Sequence, residues 1–352
     1  MSTITETKKA IKGGEFLIRD TEAHEVFIPE EFSEEQKMIR QQCKDFLTKE
    51  VWPKLDEIDS MKDPKLMPKI LDVAGELGLL GTSVPQDLGG FGMDFNTSML
   101  VAEVLGAGHS VAVAVSAHTG IGTLPILYYG NEEQKKKYIP KLASGEWKAA
   151  YCLTEPDSGS DANSGKTKAV LSSDGKHYLI TGQKMWITNG GFADIYVVFA
   201  KIDNDKNLTG FIVEKTFGGI TMNEEEKKMG IKGSSTRQIF FNDCKVPVEN
   251  MLSERENGFK IAVNILNIGR IKLGVAAVGG SKATISKAIK YATERKQFGT
   301  TLSTFGAIKH KIGETCVKIF ASESAHYRAG QNIDDAYNAL VAGGMDFAKA
   351  RL

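Results

Sequence analysis

The spacing of apolar residues along the chain changes twice. Over the first stretch, Ile39, Cys43, Phe46 and Leu47 recur at three- and four-residue intervals, which predicts an amphipathic helix. Ser33-Glu34-Glu35-Gln36 reads as its capping box, serine and glutamine each satisfying an amide of the other. Pro53 is expected to end or bend this helix. A second helix, carrying Lys69 to Ala74, is expected to start near Pro68 and to stop at Gly78 and Gly81. SVPQDLGGFGMD reads as a loop, and Asn131-Glu132-Glu133-Gln134 starts a further short helix.

From about residue 148 to 246 the period becomes two. AAYCLT, TKAVLSSDGKHYLITG, DIYVVFAKI, TGFIVEK, GITMN and RQIFFND are short strand candidates, and SSDG reads as a hairpin turn. Gly182, Asn189-Gly190-Gly191 and Asp203-Asn204 are expected to punctuate the strands. After Pro247 there is no proline, and Ile261, Ile265, Ile268 and Leu273 predict long helices. The pattern is helical, then β, then helical. It divides the chain into an extension over 1–32, a helical domain over 33–147, a β domain over 148–252 and a helical domain over 253–352.

Charge narrows the partners. Lys plus Arg and Asp plus Glu both number 44, so net charge gives no case for nucleic acid or an anionic membrane surface. No run of 18 apolar residues predicts a spanning helix, and VAVAVSAHTGIG reads as a core segment of small residues. Cys43, Cys152, Cys244 and Cys316 are far apart and form no CxxC pair, which suits a reducing compartment. MSTITETKKAIKGGEF lacks the h-region of a secretory signal and the arginines of a transit peptide. Together these favour a bacterial-type cytoplasmic location over a mitochondrial matrix. The six histidines form no HxxxH or HExxH, and no metal is expected. Ser158 and Ser160 lack a GxSxG frame, and no GxGxxG follows a strand.

Two stretches stand out for chemistry, YCLTEPDSGSD at 151–161 and QKMWITNGG at 183–191. Each joins a strand end to a small polar turn, and the second adds an indole. A flavin needs an apolar face and donors for the ring edge that gains charge on reduction. The plainer reading makes Trp186 a core residue and Thr188 a strand former. Arg295 in ERKQFG either complements a helix C-terminus or meets a phosphate, with Phe298 near a ring. Arg270 in LNIGRIKLG interrupts an apolar face, and such a half-buried arginine needs an anionic or carbonyl partner, structural or not. Glu224-Glu225-Glu226-Lys227-Lys228 reads as a solvated turn.

YCLTEPDSGSD, GQKMWITNGG, KMGIKGSSTRQIFF, NILNIGR and ERKQFG together resemble the acyl-CoA dehydrogenases, in that family's order and approximate spacing. The resemblance implies an α+β fold: an N-terminal helical domain, a middle β-barrel or sandwich domain and a C-terminal helical bundle. It implies FAD as cofactor, held by Tyr151, Leu153, Thr154, Ser160, Trp186, Ile187 and Thr188. Arg295, Gln297 and Phe298 would reach the FAD of a neighbouring subunit in a homodimer or homotetramer. Ser160, Asn267 and Arg270 would line the acyl-CoA substrate. The implied reaction is α,β-dehydrogenation of a fatty acyl-CoA to the trans-2-enoyl-CoA, as in fatty acid β-oxidation, with electrons passing to an electron-transfer flavoprotein. NILNIGR, AHTGIG and KGGEFLI are most similar to the long-chain and very-long-chain branch.

One departure stands against full activity. Most members keep their catalytic glutamate near the end of the C-terminal bundle, a position expected beyond Leu352. A minority keep it directly before the arginine of NILNIGR, where this chain has Gly269. No catalytic base is therefore assigned, the bundle is expected to be incomplete, and the 352 residues as they stand are expected to be inactive or impaired. Two other readings remain open: an acyl-CoA oxidase, and a non-catalytic protein that binds flavin or acyl-CoA.

Overall fold

The computed structural model describes Glu15, residues 18–22 and residues 27–351. Most of the expected extension over 1–32, and most of KGGEFLI within it, lie outside the described residues. Seven helices precede the strands: α1 (Glu34–Phe46), α2 (Leu55–Ser60), α3 (Leu66–Glu76), α4 (Phe95–Leu105), α5 (Ser110–Ser116), α6 (Leu124–Tyr129) and α7 (Glu132–Ala143). Eight strands follow: β1 (Ala149–Cys152), β2 (Lys168–Leu171), β3 (His177–Thr188), β4 (Ile195–Ile202), β5 (Thr209–Glu214), β6 (Ile220–Met222), β7 (Thr236–Pro247) and β8 (Met251–Leu252). The helix α8 (Gly258–Glu294), a hairpin of β9 (Lys296–Gln297) and β10 (Thr300–Thr301), and the helices α9 (Gly306–Ala342) and α10 (Phe347–Arg351) complete the described chain. The fold is mixed α+β, helical, then β, then helical, as expected.

Two compact units divide these elements: residues up to 47, 94–108 and 271–351 in one, and 48–93 and 109–270 in the other. In the first unit the Ser33 capping box is formed, Gln36 N donating to Ser33 Oγ at 3.2 Å and Ser33 N to Gln36 Oε1 at 3.0 Å. Asp334 on α9 accepts from the Phe95 and Asn96 amides at 2.8 and 2.9 Å, satisfying two orphan donors at the start of α4. Glu103 on α4 accepts from Tyr327 and, at 2.6 Å, from Lys282, which also meets Glu323. A Cβ on Gly279 would lie 1.7 Å from the Glu103 carbonyl oxygen, so only glycine lets α4 and α8 cross this closely.

The second unit holds the sheet, in the order β6-β7-β3-β2-β4-β5-β8, with β1 pairing parallel to β4. The apolar run of β4 is buried on both sides, as its lack of alternation requires. Ile195, Val197 and Phe199 join Leu124, Tyr138, Leu142 and Ile265 in one core. Tyr196, Val198 and Ala200 join Ile180, Ile239 and Phe241 in another.

Four expectations need correcting. The bend after α1 begins before Pro53, in a π-helical turn over Leu47–Val51. Gly182 does not break its strand: β3 runs on for 12 residues, because a glycine there admits Thr167, whose Oγ1 a Cβ would approach to 2.6 Å. Leu273 is 72% exposed, since it is rotated off the buried stripe that α8 continues through Val275 and Val278. Among the described residues two stretches, Ser110–Tyr129 and Gly258–Glu294, are long and apolar enough by length and composition to cross a membrane, where none was expected. The apolar window of the first is 72% buried inside the protein.

Candidate functional site

β1 is short because its neighbour allows four parallel pairs, Ala149 to Cys152 against Ile195 to Val198. Beyond Cys152 the chain leaves the ladder and is fastened to β3 instead. Met185 N donates to the Thr154 carbonyl at 2.8 Å. Lys184 Nζ donates to the Leu153 carbonyl at 3.2 Å, to the Phe199 carbonyl at 2.6 Å and to Glu155 Oε1 at 2.6 Å. Glu155 also accepts from the amides of Lys166 at 2.5 Å and Thr167 at 3.1 Å. Burial pushes the Glu155 carboxyl up, but the Lys184 ammonium and these donors outweigh it, and Glu155 stays below the usual range. The turn that follows is pinned by the buried Ser158, whose hydroxyl donates to the Asp161 carbonyl at 2.9 Å.

With both carbonyls occupied, the donors of Thr154 are left over. Its amide and hydroxyl have no hydrogen-bond partner among the described residues. Nearby, the Tyr151 hydroxyl is buried and unpaired, and burial pushes its pKa up. On β3 the register against β7 slips between Lys184 and Ile187, and Trp186 sits in that bulge at φ 57. For a bulky aromatic residue this backbone is an outlier, of the kind that collects at functional sites. It turns the indole out of the core: Trp186 is 60% exposed, while Ile187 beside it is buried. The reading of Trp186 as core is thereby excluded.

Behind the bulge, Asn189 is fully buried at φ 63. Its Nδ2 donates to the Ala114 carbonyl at 3.0 Å and to the Ala149 carbonyl at 3.3 Å. His118, in the π-helical turn Ala117–Gly122, joins the same strand to α7: Ala149 N donates to Nδ1 at 3.1 Å, and Nε2 lies 2.9 Å from the Leu142 carbonyl. Burial pushes the His118 imidazole down to about 4.

The other candidate residues fall elsewhere. Ser160 is exposed in the turn after Ser158. Arg270 is exposed rather than half-buried, because its guanidinium runs along α8 to the Asn267 side chain one turn earlier. Arg295, Gln297 and Phe298 lie in the other unit, all exposed, where Phe298 (φ 53) and Gly299 (φ 78) form the tip of the β9–β10 hairpin. The charged run at 224–228 is not wholly solvated: Glu225 is half-buried, accepting from Arg237 Nε and Ser235 Oγ, both at 2.7 Å. Sequence reasoning passed over Lys184, Glu155, Asn189 and His118. For Lys184 a signal existed, since it shares the inward parity of Ile180 and Gly182 on β3.

The helical–β–helical fold carries an exposed aromatic and free donors at one strand end, and comparison with known proteins makes the family plain. The acyl-CoA dehydrogenase N-terminal, middle and C-terminal domains match residues 33–146, 150–244 and 256–352. The chain belongs to the acyl-CoA dehydrogenase family. It is 47% identical over 331 residues to a probable acyl-CoA dehydrogenase of Bacillus subtilis, covering 94% of this chain and 55% of that protein. It is 42% identical to the very long-chain specific acyl-CoA dehydrogenase of Rattus norvegicus, covering 83% of this chain and 47% of that protein. The crystal structure of an acyl-CoA dehydrogenase complexed with FAD from Bacillus anthracis superposes with a TM-score of 0.94 at 46% identity, over 97% of this chain and 58% of that one. The chain thus spans about half the length of these relatives.

Proposed function

We propose that this chain carries the FAD and acyl-CoA sites of a long-chain acyl-CoA dehydrogenase, dividing into helical, β and helical domains at 33–147, 148–252 and 253–352. The observation that carries the reading is the set of unspent polar groups around the strand end. The Thr154 amide and hydroxyl, the buried Tyr151 hydroxyl and the out-turned Trp186 are what a flavin edge and face would take up. A similar relative was solved with FAD. Leu153 and Ile187 would supply the apolar backing, and Thr188, whose hydroxyl is also unpaired among the described residues, a further donor.

FAD, when bound, supplies the acceptor for the β-hydride. The chain's own part is to orient and to exclude water. Ser160, Asn267 and Arg270 would meet the polar portion of the thioester ligand, and the Arg270–Asn267 contact holds that guanidinium ready. Arg295, Gln297 and Phe298, exposed on their hairpin, would serve the FAD of a second copy in a homodimer or homotetramer. No base is assigned within the 352 residues, since Gly269 offers no carboxylate. An electron-transfer flavoprotein is the proposed acceptor. Four unpaired cysteines, three of them buried, support a cytoplasmic location.

The long-chain preference rests on the similarity to very long-chain relatives. It is tested by titrating the FAD-loaded chain with palmitoyl-CoA and butyryl-CoA and following the flavin's visible spectrum. The reading expects palmitoyl-CoA to perturb the spectrum at the lower concentration. Perturbation by butyryl-CoA first would overturn the chain-length assignment.

A further inference from the structure

Lys184 is the least expected residue in the β sheet. A lysine is almost never fully buried unless paired, and here the side chain has no exposure while its partner Glu155 keeps 6%. Its three hydrogen bonds use every ammonium proton. Two go to backbone carbonyls on different segments, Leu153 beyond β1 and Phe199 on β4. The third goes to a carboxylate that itself gathers the amides of Lys166 and Thr167.

Mere stabilisation is a poor reason for such a pair. Desolvating two charges costs several kcal/mol each, and an apolar pair of similar volume often does as well. Geometry is what an apolar pair could not supply. With Met185 N on the Thr154 carbonyl and Lys184 on the Leu153 carbonyl, both peptide oxygens of the strand end are fixed from one side. The Thr154 amide and hydroxyl are what remain free.

We infer that Lys184 and Glu155 form a positioning clamp that holds the Leu153–Thr154 peptide so that the Thr154 donors meet the flavin edge. The inference rests on the FAD reading given above. The clamp touches no flavin atom. It acts through Thr154, and it sets both how tightly the flavin is held and how polarised its ring is.

The test is Lys184→Met in the full 352-residue chain, which keeps the stem's volume and removes all three donors. Folding is checked by circular dichroism and FAD binding by fluorescence titration, and the flavin's visible absorption is recorded at saturating FAD. The expected result is a folded variant whose FAD Kd rises roughly tenfold, the equivalent of one net hydrogen bond. Its visible band is also expected to shift, because a ring edge deprived of its donors is less polarised. Unchanged affinity and an unchanged band overturn the clamp and leave the FAD reading standing. Weaker binding with an unchanged band also overturns it, since that is what a purely structural role would give. Failure of the unmodified chain to take up FAD removes the FAD reading itself, and the clamp with it. Should Lys184→Met not fold, Glu155→Gln, which keeps the shape but only one of the two acceptor oxygens that Lys166, Thr167 and Lys184 share, decides by the same two readouts.

Discussion

Acidification should strike the second unit through His118. The ring is fully buried, and backbone groups fix its tautomer. Ala149 N–H donates to Nδ1, so Nδ1 must be bare and the proton must sit on Nε2, facing the Leu142 carbonyl. A second proton on Nδ1 would point at an N–H and place a charge out of water, close to Lys148. Burial, helped by Lys148, therefore lowers the pKa from 6.5 to about 4. The folded state resists protonation while the unfolded state accepts it near 6.5, so stability falls as pH drops between these values and levels off below about 4. The gap of about 2.5 units corresponds to about 3 kcal/mol at the acid limit, of which about 2 is lost between pH 7 and pH 5. Urea unfolding at these two pH values, for the unmodified chain and for His118→Gln, isolates the contribution. The unmodified chain should lose about 2 kcal/mol more than the variant on acidification. A difference between the two that stays constant with pH would refute the argument, and would mean that the buried imidazole is protonated at no cost.

Three further outcomes are expected. Arg295→Ala should weaken FAD binding by roughly tenfold, as for loss of a charge-assisted hydrogen bond, and loosen self-association at the same time; native affinity in a strict monomer, by ultracentrifugation, would contradict it. On the proposed reading, which assigns no base within the 352 residues, the FAD-loaded chain should bleach slowly with palmitoyl-CoA under anaerobic conditions, short of the factor of about 10² to 10⁴ that a general base supplies. Gly269→Glu should raise that bleaching rate, because a Cβ there meets only Ile121 Cγ2, at 3.8 Å, and the helix has room for the side chain; a rate unchanged by the substitution would sink the proposal.

Local rules carried the sequence reading where an element is decided by its own residues. The Ser33 box, the Gly78 stop at φ 74 and the SSDG hairpin all follow from chemistry within a few positions. The reading failed where a distant partner decides. Gly182 reads as a breaker until Thr167 is known to lie against it, and Leu273 fits a helical repeat until the buried stripe is seen to turn toward Val275. At the candidate site, the residues meant to face a ligand were legible as motifs. The residues that hold them were not, because Lys184, Glu155, Asn189 and His118 act through bonds spanning 11 to 75 positions. Nor does any pattern reveal that Trp186, in a strand of apolar neighbours, is turned outward: a bulge of the β3–β7 ladder does that.

The central claim is that the strand end at Leu153–Thr154 and the bulge at Trp186 form a seat for FAD. Its most direct test is a fluorescence titration of the 352-residue chain with FAD and with FMN, repeated for Trp186→Ala and Thr188→Ala. Saturable binding of FAD, weaker binding of FMN, and a loss of FAD affinity in both variants are expected, the loss largest for the indole, whose ring area the flavin face would cover. Equal, tight FAD binding by the chain and both variants, or no FAD binding by any of them, would contradict it.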